Sequence, residues 1–332
     1  NEDAYRWRAG RSPRMIEASG RIMNSPNYLE ALIRGIRNSD RAALGRTITL
    51  VESNTPDDRR LAQELLTALL PDTGGAHRIG ISGVPGVGKS TFIESFGLRL
   101  VDAGHRVAVL AVDPSSSVSK GSILGDKTRM EKLAISENAF IRPSPTGGSL
   151  GGVARKTREA ILVCEAAGYD IVLVETVGVG QSETAVAEMV DFFLVLKLAG
   201  AGDELQGIKR GILELADLIA INKADGDNIP PAELARAEFE RALGILRSEG
   251  EWQPKVVTSS GRTGAGLDEI WAIVREHHQL LSANGEVGKL RKQQLRGWRW
   301  SVVAAGLRAA GREQRTGAGS LSSLEPIILE GK

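Results

Sequence analysis

The segment Gly83–Ser90 has a residue at every fixed position that suits the binding of a phosphate group. It reads Gly-Val-Pro-Gly-Val-Gly-Lys-Ser and matches the pattern G-x-x-x-x-G-K-[ST], the phosphate-binding P-loop. The glycines let backbone N–H groups point inward around a di- or triphosphate, and the helix that follows aims its positive N-terminal dipole at the same anion. Lys89 can reach the β- and γ-phosphates, and the Ser90 hydroxyl group can bind Mg²⁺. We therefore expect a phosphate site made by Gly83, Val84, Pro85, Gly86, Val87, Gly88, Lys89, Ser90 and Thr91.

The residues on either side of this loop supply the strand and the helix that the motif requires. The run 77–82 has the composition of a strand, and the run 91–100 has that of a helix. Strand, glycine loop and helix in this order form the context in which the pattern binds phosphate. A chance glycine-rich turn is therefore a poor explanation of the match.

A second apolar strand ends in an acid and is followed by a glycine. The run 170–175 ends at Glu175, and Gly178 comes three residues later. In P-loop proteins an acid at this position holds Mg²⁺, and the glycine amide senses the γ-phosphate. Most GTPases have aspartate where this chain has glutamate.

Two further acids follow the strand at 106–112 and are candidates to complete a magnesium shell. Asp113 ends that strand, and Asp126 lies in the segment Gly125–Met130, where a turn or helix-start aspartate explains it equally well. The predicted metal ligands are thus Ser90, Asp113, Asp126 and Glu175.

The tetrapeptide Asn222-Lys223-Ala224-Asp225 follows another apolar strand and predicts the base of the nucleotide. A carboxylate such as Asp225 can accept both N1–H and N2–H₂ of guanine, which adenine does not offer. Lys223 can pack its stem over the ring, and Asn222 can tie loops together. After the next strand, Ser259 and Ser260 place backbone N–H groups where one can donate to guanine O6. The pattern predicts GTP rather than ATP.

The position after Gly178 is occupied by Val179, whereas Ras-like GTPases have a glutamine there that orients the attacking water. Gln181 and Glu183 lie two and four residues further on. Intrinsic hydrolysis should therefore be slow and should depend on a rearrangement or on a partner, as in a switch. Gln181 joins Lys89, Asp113 and Glu175 as a candidate catalytic residue.

The order of elements predicts an α/β fold of the P-loop NTPase type, with a doubly wound and mostly parallel sheet. Near-continuous apolar strands alternate with helices from residue 77 to residue 279, as in a sheet that is covered on both faces. Residues 27–70 show helical spacing and come before a breaker cluster at Pro71–Gly75. Asp40 or Ser39 can cap the second of these helices, and Pro56 opens the third.

Composition excludes several classes of function. The chain of 332 residues has a net charge of +1, which gives no overall field that would attract nucleic acid or a membrane surface. Its apolar runs are too short to span a bilayer. The single cysteine, Cys164, reads as a core hydrophobe and suits a reducing compartment. The first twenty-one residues contain five arginines and three acidic residues. A transit peptide has fewer acidic residues than this. We expect the bacterial cytoplasm rather than the mitochondrial matrix.

The C-terminal segment 285–315 is basic and carries a narrow apolar stripe. The stripe residues fall at alternating spacings of three and four, at Leu295, Trp298, Val302, Ala305 and Ala309. Because no nucleic-acid-binding motif accompanies this segment, dimer or domain packing is the preferred interpretation over nucleic-acid contact.

Several long segments resemble a known family. The segments Val109–Ser116, Gly125–Met130 and Glu175–Glu183 resemble those of P-loop GTPases that help to assemble metal-containing enzymes. The segment Gly200–Lys209 narrows the resemblance to the MeaB/MMAA-type (ArgK-like) metallochaperones. The resemblance runs from about residue 28 to about residue 300.

This resemblance implies a GTPase that serves another enzyme. It implies an N-terminal helical extension (1–74), a GTPase domain (75–282) and a C-terminal helical dimerisation arm (283–332). The expected homodimer assists an adenosylcobalamin-dependent acyl-CoA mutase, together with the adenosyltransferase of that mutase, and holds adenosylcobalamin only through the mutase. GTP binding and hydrolysis gate cofactor loading and the release of damaged cofactor. Methylmalonyl-CoA is the common substrate of such mutases, and an isobutyryl- or 2-hydroxyisobutyryl-CoA mutase remains an alternative.

The resemblance also implies three switch segments. Switch I lies around Asp113–Met130, switch II follows Glu175, and a third switch spans about Ala199–Lys209. In the third switch, Gln206 and Lys209 are candidates for partner-triggered activation, although an exposed helix lysine explains Lys209 equally well.

Three other functions compete with this one. A nickel-insertion GTPase needs a Cys/His cluster, whereas this chain has one cysteine and four histidines, and the adjacent His277 and His278 read as a solvated helix face. A kinase that acts on a periplasmic amino-acid-binding protein uses ATP, against which Asp225 argues. Signalling and translation GTPases generally carry aspartate at the position of Glu175 and lack the third-switch segment.

Overall fold

The computed structural model describes residues 26–112, 130–143, 150–176, 182–200, 210–245 and 251–296. The chain divides into two compact units, one up to Val274 and one from Arg275 onward. In chain order, the elements of the described ranges are α1 (Pro26–Arg37), α2 (Arg41–Glu52), α3 (Pro56–Leu69), β1 (His77–Gly83), α4 (Lys89–Asp102), β2 (Val107–Val112), α5 (Glu131–Ile135), β3 (Ala139–Arg142), α6 (Leu150–Ala166), β4 (Ile171–Thr176), α7 (Ser182–Ala187), β5 (Phe192–Leu198), α8 (Arg210–Leu215), β6 (Leu218–Asn222), α9 (Ile229–Ile245), β7 (Lys255–Thr258) and α10 (Leu267–Ala283).

The described strands form a single parallel sheet in the order β3-β2-β4-β1-β5-β6-β7. In the central register, Ile81 of β1 lies opposite Glu175 of β4 and Leu194 of β5. Because all strands run the same way, their carboxyl ends meet at one edge of the sheet, where ligands bind in open α/β folds. The predicted α/β P-loop fold is confirmed.

Both faces of the sheet are buried, as the apolar strands predict. Along β4, Val172 and Val174 belong to one hydrophobic cluster, whereas Ile171 and Leu173 belong to another. Since successive side chains of a strand point to opposite faces, a strand buried on both sides must be apolar at every position. The first cluster includes side chains of α1, α2, α3 and α6, and the second includes side chains of α4 and α10.

The helices predicted over residues 27–70 are present and pack on α6. Asp40 caps α2, because its Oδ1 atom accepts a hydrogen bond of 2.8 Å from the N–H of Ala42. Ser39 instead turns the chain, with φ at +58°, and its hydroxyl group donates to the carbonyl oxygen of Ala167 at 3.0 Å. This turn joins the N-terminal helices to the loop that leads into β4.

Helices α6 and α9 begin earlier than the sequence pattern predicts, and the short elements α5, α7 and β3 are not predicted by it. Helix α6 begins at Leu150 rather than Arg155, since the helix continues through Gly151 and Gly152, whose low helix propensity hides its first turns. Helix α9 begins at Ile229 because prolines are tolerated in the first turn of a helix. Elements α5 and β3 are too short to leave a periodic signal, and β3 is defined by its pairing with β2.

The described part of the second unit is helical. Helix α10 ends at Ala283, Gly285 turns the chain with φ at +73°, and helical backbone resumes over residues 286–296. Trp298, Val302, Ala305 and Ala309 of the predicted apolar stripe lie outside the described residues. Within the described ranges, no helix combines the length and apolarity needed to cross a membrane.

Candidate functional site

The P-loop lies at the carboxyl end of β1 and leads directly into α4. Gly88 forms the N-cap of α4 with φ at +94°, a conformation that favours glycine, and a Cβ atom there would lie 3.1 Å from Nδ2 of Asn222. Lys89 is the first residue of the helix and is only 9% exposed. Its ammonium group donates hydrogen bonds to the carbonyl oxygens of Gly83 at 2.7 Å and Val84 at 3.2 Å. The loop therefore folds around its own lysine.

The ammonium group of Lys89 is partly desolvated. Burial lowers the pKa of its ammonium group, and the negative charges of Glu175 and Glu183 oppose this shift. A desolvated cation between two acids gains more from a phosphate anion than a solvated lysine does, because water no longer screens the interaction. The site is therefore prepared to exchange its carbonyl partners for phosphate oxygens.

The strand-end acid lies at the same edge of the sheet. Glu175 is the fifth residue of β4, and the next residue, Thr176, donates a buried hydrogen bond of 3.0 Å to Ser82 of β1. Ser90 follows Lys89 in the first turn of α4 and is partly buried. A hydroxyl and a carboxylate oxygen are the hard ligands that Mg²⁺ takes in proteins, so these two side chains fit the ion. Asp113, Asp126, Gly178, Gln181 and Lys209 lie outside the described residues.

Asn222 links the base-recognition loop to the P-loop. It ends β6 and is 2% exposed. Its Nδ2 atom donates to the carbonyl oxygen of Val87 at 2.9 Å, and its Oδ1 atom accepts from the N–H of Gly261 at 3.3 Å and from the Ser259 hydroxyl group at 3.4 Å. One amide side chain thus joins three loops.

Lys223 forms a second link between the same loops. Its ammonium group donates to the carbonyl oxygen of Gly86 at 2.8 Å. Its backbone has φ at +61°, which is uncommon for a residue with a side chain. Asn228 stabilises this turn by donating to the carbonyl oxygen of Lys223 at 2.7 Å. The side chain therefore crosses over the pocket toward the P-loop.

Asp225 faces a pocket of about 290 Å³ at the base end of the site. Its Oδ2 atom accepts a hydrogen bond of 2.5 Å from Ser260, and its Oδ1 atom is paired with the guanidinium group of Arg262. The pocket is lined by Gly88, Thr91, Asn222, Lys223, Asp225, Gly261 and Arg262.

The backbone N–H groups after β7 have partners inside the protein. Ser259 donates to Ile221 O at 2.8 Å, Ser260 to Ala265 O at 3.0 Å, and Gly261 to Oδ1 of Asn222. The position of these groups in the sequence predicts that one of them donates to guanine O6. In this arrangement each of them is already engaged, because the loop uses them to fix itself against β6.

Two residues of the site, Gly261 and Arg262, are not predicted from the sequence, and a third, Glu183, is given no role. Arg262 reaches Asp225, and Gly261 packs so closely that a Cβ atom there would lie 2.9 Å from the backbone nitrogen of Phe92. Glu183 is 2% exposed and its negative charge opposes the lowering of the Lys89 pKa, whereas its place in the sequence shows only that it lies four residues after Val179. The signal available for Gly261 and Arg262 was their place directly after the serine pair of a P-loop protein.

Among the described residues, no group of three or more His, Cys, Asp or Glu side chains is arranged to hold a metal ion. His277 is 3% exposed, so the expectation that it lies on a solvated face is wrong. Cys164 is fully buried, and burial raises the pKa of its thiol, so it is the core hydrophobe that the sequence predicts.

Comparison with known proteins agrees with this geometry. The family described as "Methylmalonyl Co-A mutase-associated GTPase MeaB" matches residues 44–316. GTPase ArgK of Escherichia coli is 54% identical over 278 residues, which cover 83% of this chain and 84% of that protein. The mouse protein named "Methylmalonic aciduria type A homolog, mitochondrial" is 52% identical over 287 residues, which cover 83% and 69% of the two chains. A solved LAO/AO transport system kinase has a TM-score of 0.74 at 44% identity and covers 85% of each chain. These matches confirm the resemblance seen in the sequence: the chain belongs to the MeaB family of P-loop GTPases.

Proposed function

We propose that this protein is a GTP-driven chaperone that controls adenosylcobalamin loading of an acyl-CoA mutase and the release of damaged cofactor. Membership of the MeaB family implies guanine nucleotide binding, and the family description connects its GTPase with methylmalonyl-CoA mutase. The proposal goes further, because it assigns a direction to that association: nucleotide state sets when the mutase receives cofactor.

The observation that supports a switch is the pair of links between the base loop and the phosphate loop. Asn222 donates to Val87, and Lys223 donates to Gly86, so both residues of the base loop hold carbonyl oxygens of the P-loop. A movement of the base loop or of the P-loop is therefore transmitted to the other loop through these short hydrogen bonds. Such coupling lets one ligand bias two loops together, which a switch requires.

The residues of this chain divide the work on the nucleotide. Lys89 exchanges its bonds with Gly83 and Val84 for bonds to phosphate oxygens. The backbone N–H groups of the P-loop surround the same oxygens, and Asp225 accepts the donors of guanine. Ser90 and Glu175 are the described residues that would hold Mg²⁺, which when bound supplies positive charge to the β- and γ-phosphates.

Slow hydrolysis without a partner is part of the proposal. Val179 occupies the position where Ras-like enzymes have their water-orienting glutamine, so a side chain must be brought in from elsewhere. We propose Gln181 of switch II and Lys209 of the third switch for this role, with Asp113 and Asp126 as further magnesium ligands. A partner that positions these side chains against the γ-phosphate would then accelerate hydrolysis.

We propose a homodimer formed through the C-terminal arm (283–332), placed in the cytoplasm and working with the mutase and its adenosyltransferase. The mutase is one for methylmalonyl-CoA or a related isobutyryl- or 2-hydroxyisobutyryl-CoA substrate. The solved relative described as a LAO/AO transport system kinase keeps a kinase function as the competing candidate. That candidate requires ATP, and the carboxylate of Asp225 at the base pocket favours guanine over adenine.

An altered-nucleotide experiment tests the proposal. A mutase apoprotein, first that of methylmalonyl-CoA mutase, is mixed with adenosylcobalamin and this protein, and loading is followed by the absorbance of the bound cofactor. Loading should respond to GTP with the wild-type chain and to xanthosine triphosphate with Asp225→Asn. Loading that ignores the nucleotide in both cases would overturn the proposal.

A further inference from the structure

The carboxylate of Asp225 is held on both oxygens by neighbouring side chains of very different exposure. Ser260, which has no exposed surface, donates to Oδ2 at 2.5 Å and accepts from the backbone N–H groups of Arg262 at 3.2 Å and Thr263 at 3.1 Å. The guanidinium group of Arg262 is paired with Oδ1, although 73% of the arginine side chain is exposed. Ser260 is thus fixed, whereas the Arg262 side chain can move into solvent.

Guanine and arginine present the same chemistry to a carboxylate. The N1–H and N2–H₂ groups of guanine belong to a guanidine unit, and so does the pair of parallel donors at the end of an arginine side chain. Ser260 takes one acceptor position of Oδ2, so the carboxylate of Asp225 keeps one free edge on which both oxygens can accept such a pair. We propose that Arg262 is an intramolecular competitor of guanine, which must leave Asp225 before the base can bind. This inference rests on the proposed guanine site.

The backbone beside Arg262 is fixed, so the competition is confined to the side chain. Gly261 packs against Phe92 with no room for a Cβ atom, and its carbonyl oxygen accepts a hydrogen bond of 2.5 Å from Ser95. Its N–H group donates to Asn222. Removal of the Arg262 side chain should therefore leave the loop in place and alter only the access of guanine to Asp225.

The exposure of the Arg262 side chain sets the expected size of its effect on nucleotide binding. An ion pair with a mostly exposed partner contributes little, so its loss should speed nucleotide association by about two- to fivefold. The substitution should change the association rate of the nucleotide, because Arg262 must leave Asp225 before the base can reach it. The difference in association rate should also decrease as the salt concentration rises, because salt screens the exposed ion pair.

Stopped-flow binding of N-methylanthraniloyl-GDP to the full-length chain, freed of nucleotide, tests the proposal. Arg262→Ala should raise the association rate by that factor, Arg262→Lys should lie between it and wild type, and added NaCl should bring the wild-type and Arg262→Ala rates together. Arg60→Ala is the matched control, since Arg60 is an exposed arginine of α3 that pairs with Asp57.

An association rate for Arg262→Ala that equals or falls below the wild-type rate would overturn the competition, and a slower rate would make Arg262 a contact of the base. If guanine preference over adenine persists in that case, this inference alone fails. If wild-type protein binds guanine and adenine nucleotides alike, the proposed guanine site fails, and the competition fails with it.

Discussion

The ammonium nitrogen of Lys89 lies 2.7 Å from the carbonyl oxygen of Gly83, the residue that opens the same P-loop. Together with the bond to the carbonyl oxygen of Val84, the contact holds a buried positive charge against the backbone of the P-loop. Burial lowers the pKa of Lys89, and the negative charges of Glu175 and Glu183 oppose that shift. A phosphate adds to that negative charge, so the lysine both attracts the nucleotide and is stabilised by it.

Lys89→Ala should therefore weaken GTP binding by about 10- to 100-fold, the loss expected for a hydrogen bond to a charged group. Isothermal titration with GTP and Mg²⁺ measures the change. Lys132→Ala, at an exposed lysine of α5, is the control and should bind as wild type does. Equal affinity of the two variants would contradict the role of Lys89.

Asp225→Asn should exchange nucleotide specificity. An amide can donate to the C2 carbonyl of xanthine but loses one of the two bonds from guanine, so GTP affinity should fall by about 100-fold while xanthosine triphosphate gains. Competition against a fluorescent nucleotide measures both. Asp227→Asn changes an exposed aspartate two residues away and should leave GTP preferred. A variant at Asp225 that still prefers GTP would remove the guanine assignment.

Asn222→Ala should uncouple the two loops. The change leaves the carbonyl oxygen of Val87 and the N–H of Gly261 without their buried partner, which should cost about 1–3 kcal/mol of folding stability. Urea unfolding measures this loss, and GTP titration should show weaker binding as well. Asn138→Ala, at an exposed asparagine before β3, serves as control. A stable variant that binds GTP normally would argue against mechanical coupling.

Glu159 should make stability depend on pH. Burial raises its pKa to about 7, and the charges of Arg155, Lys156 and Arg59 only partly oppose this. Between pH 4.5 and about 7 the folded chain therefore holds a proton that the unfolded chain has lost, so the contribution of Glu159 to stability falls as the pH rises through that window.

Glu159→Gln removes this effect and should stabilise the protein by about 1–3 kcal/mol at pH 8 but by much less at pH 5. Unfolding by urea at both values measures the difference. Glu64→Gln changes an exposed glutamate of α3 and should show no such pH dependence. A variant at Glu159 that is equally destabilised at both values would show that the carboxylate is ionised and needed.

Much of the fold could be predicted because its signals are local. Strands β6 and β7 have the predicted bounds, and the P-loop lies between a strand and a helix as the pattern requires. The carboxyl ends of parallel strands then bring Lys89, Glu175 and Asp225 to one edge without further information.

The remaining features depend on contacts between distant residues, which a single sequence does not encode locally. Arg262 meets Asp225 across 37 positions, and Gly261 meets Phe92 across a still larger separation. The first turns of α6 were missed because glycines lower local helix propensity, whereas packing on the sheet and on α2 decides the outcome.

The rate of GTP hydrolysis with and without an adenosylcobalamin-dependent acyl-CoA mutase tests the central claim most directly. Phosphate release by the full-length chain should be slow alone and should rise at least about tenfold when the purified mutase is added, as expected when a partner completes a catalytic site. Lys89→Ala should show no rise. A mutase that neither binds the wild-type chain nor changes its hydrolysis rate would contradict the chaperone function.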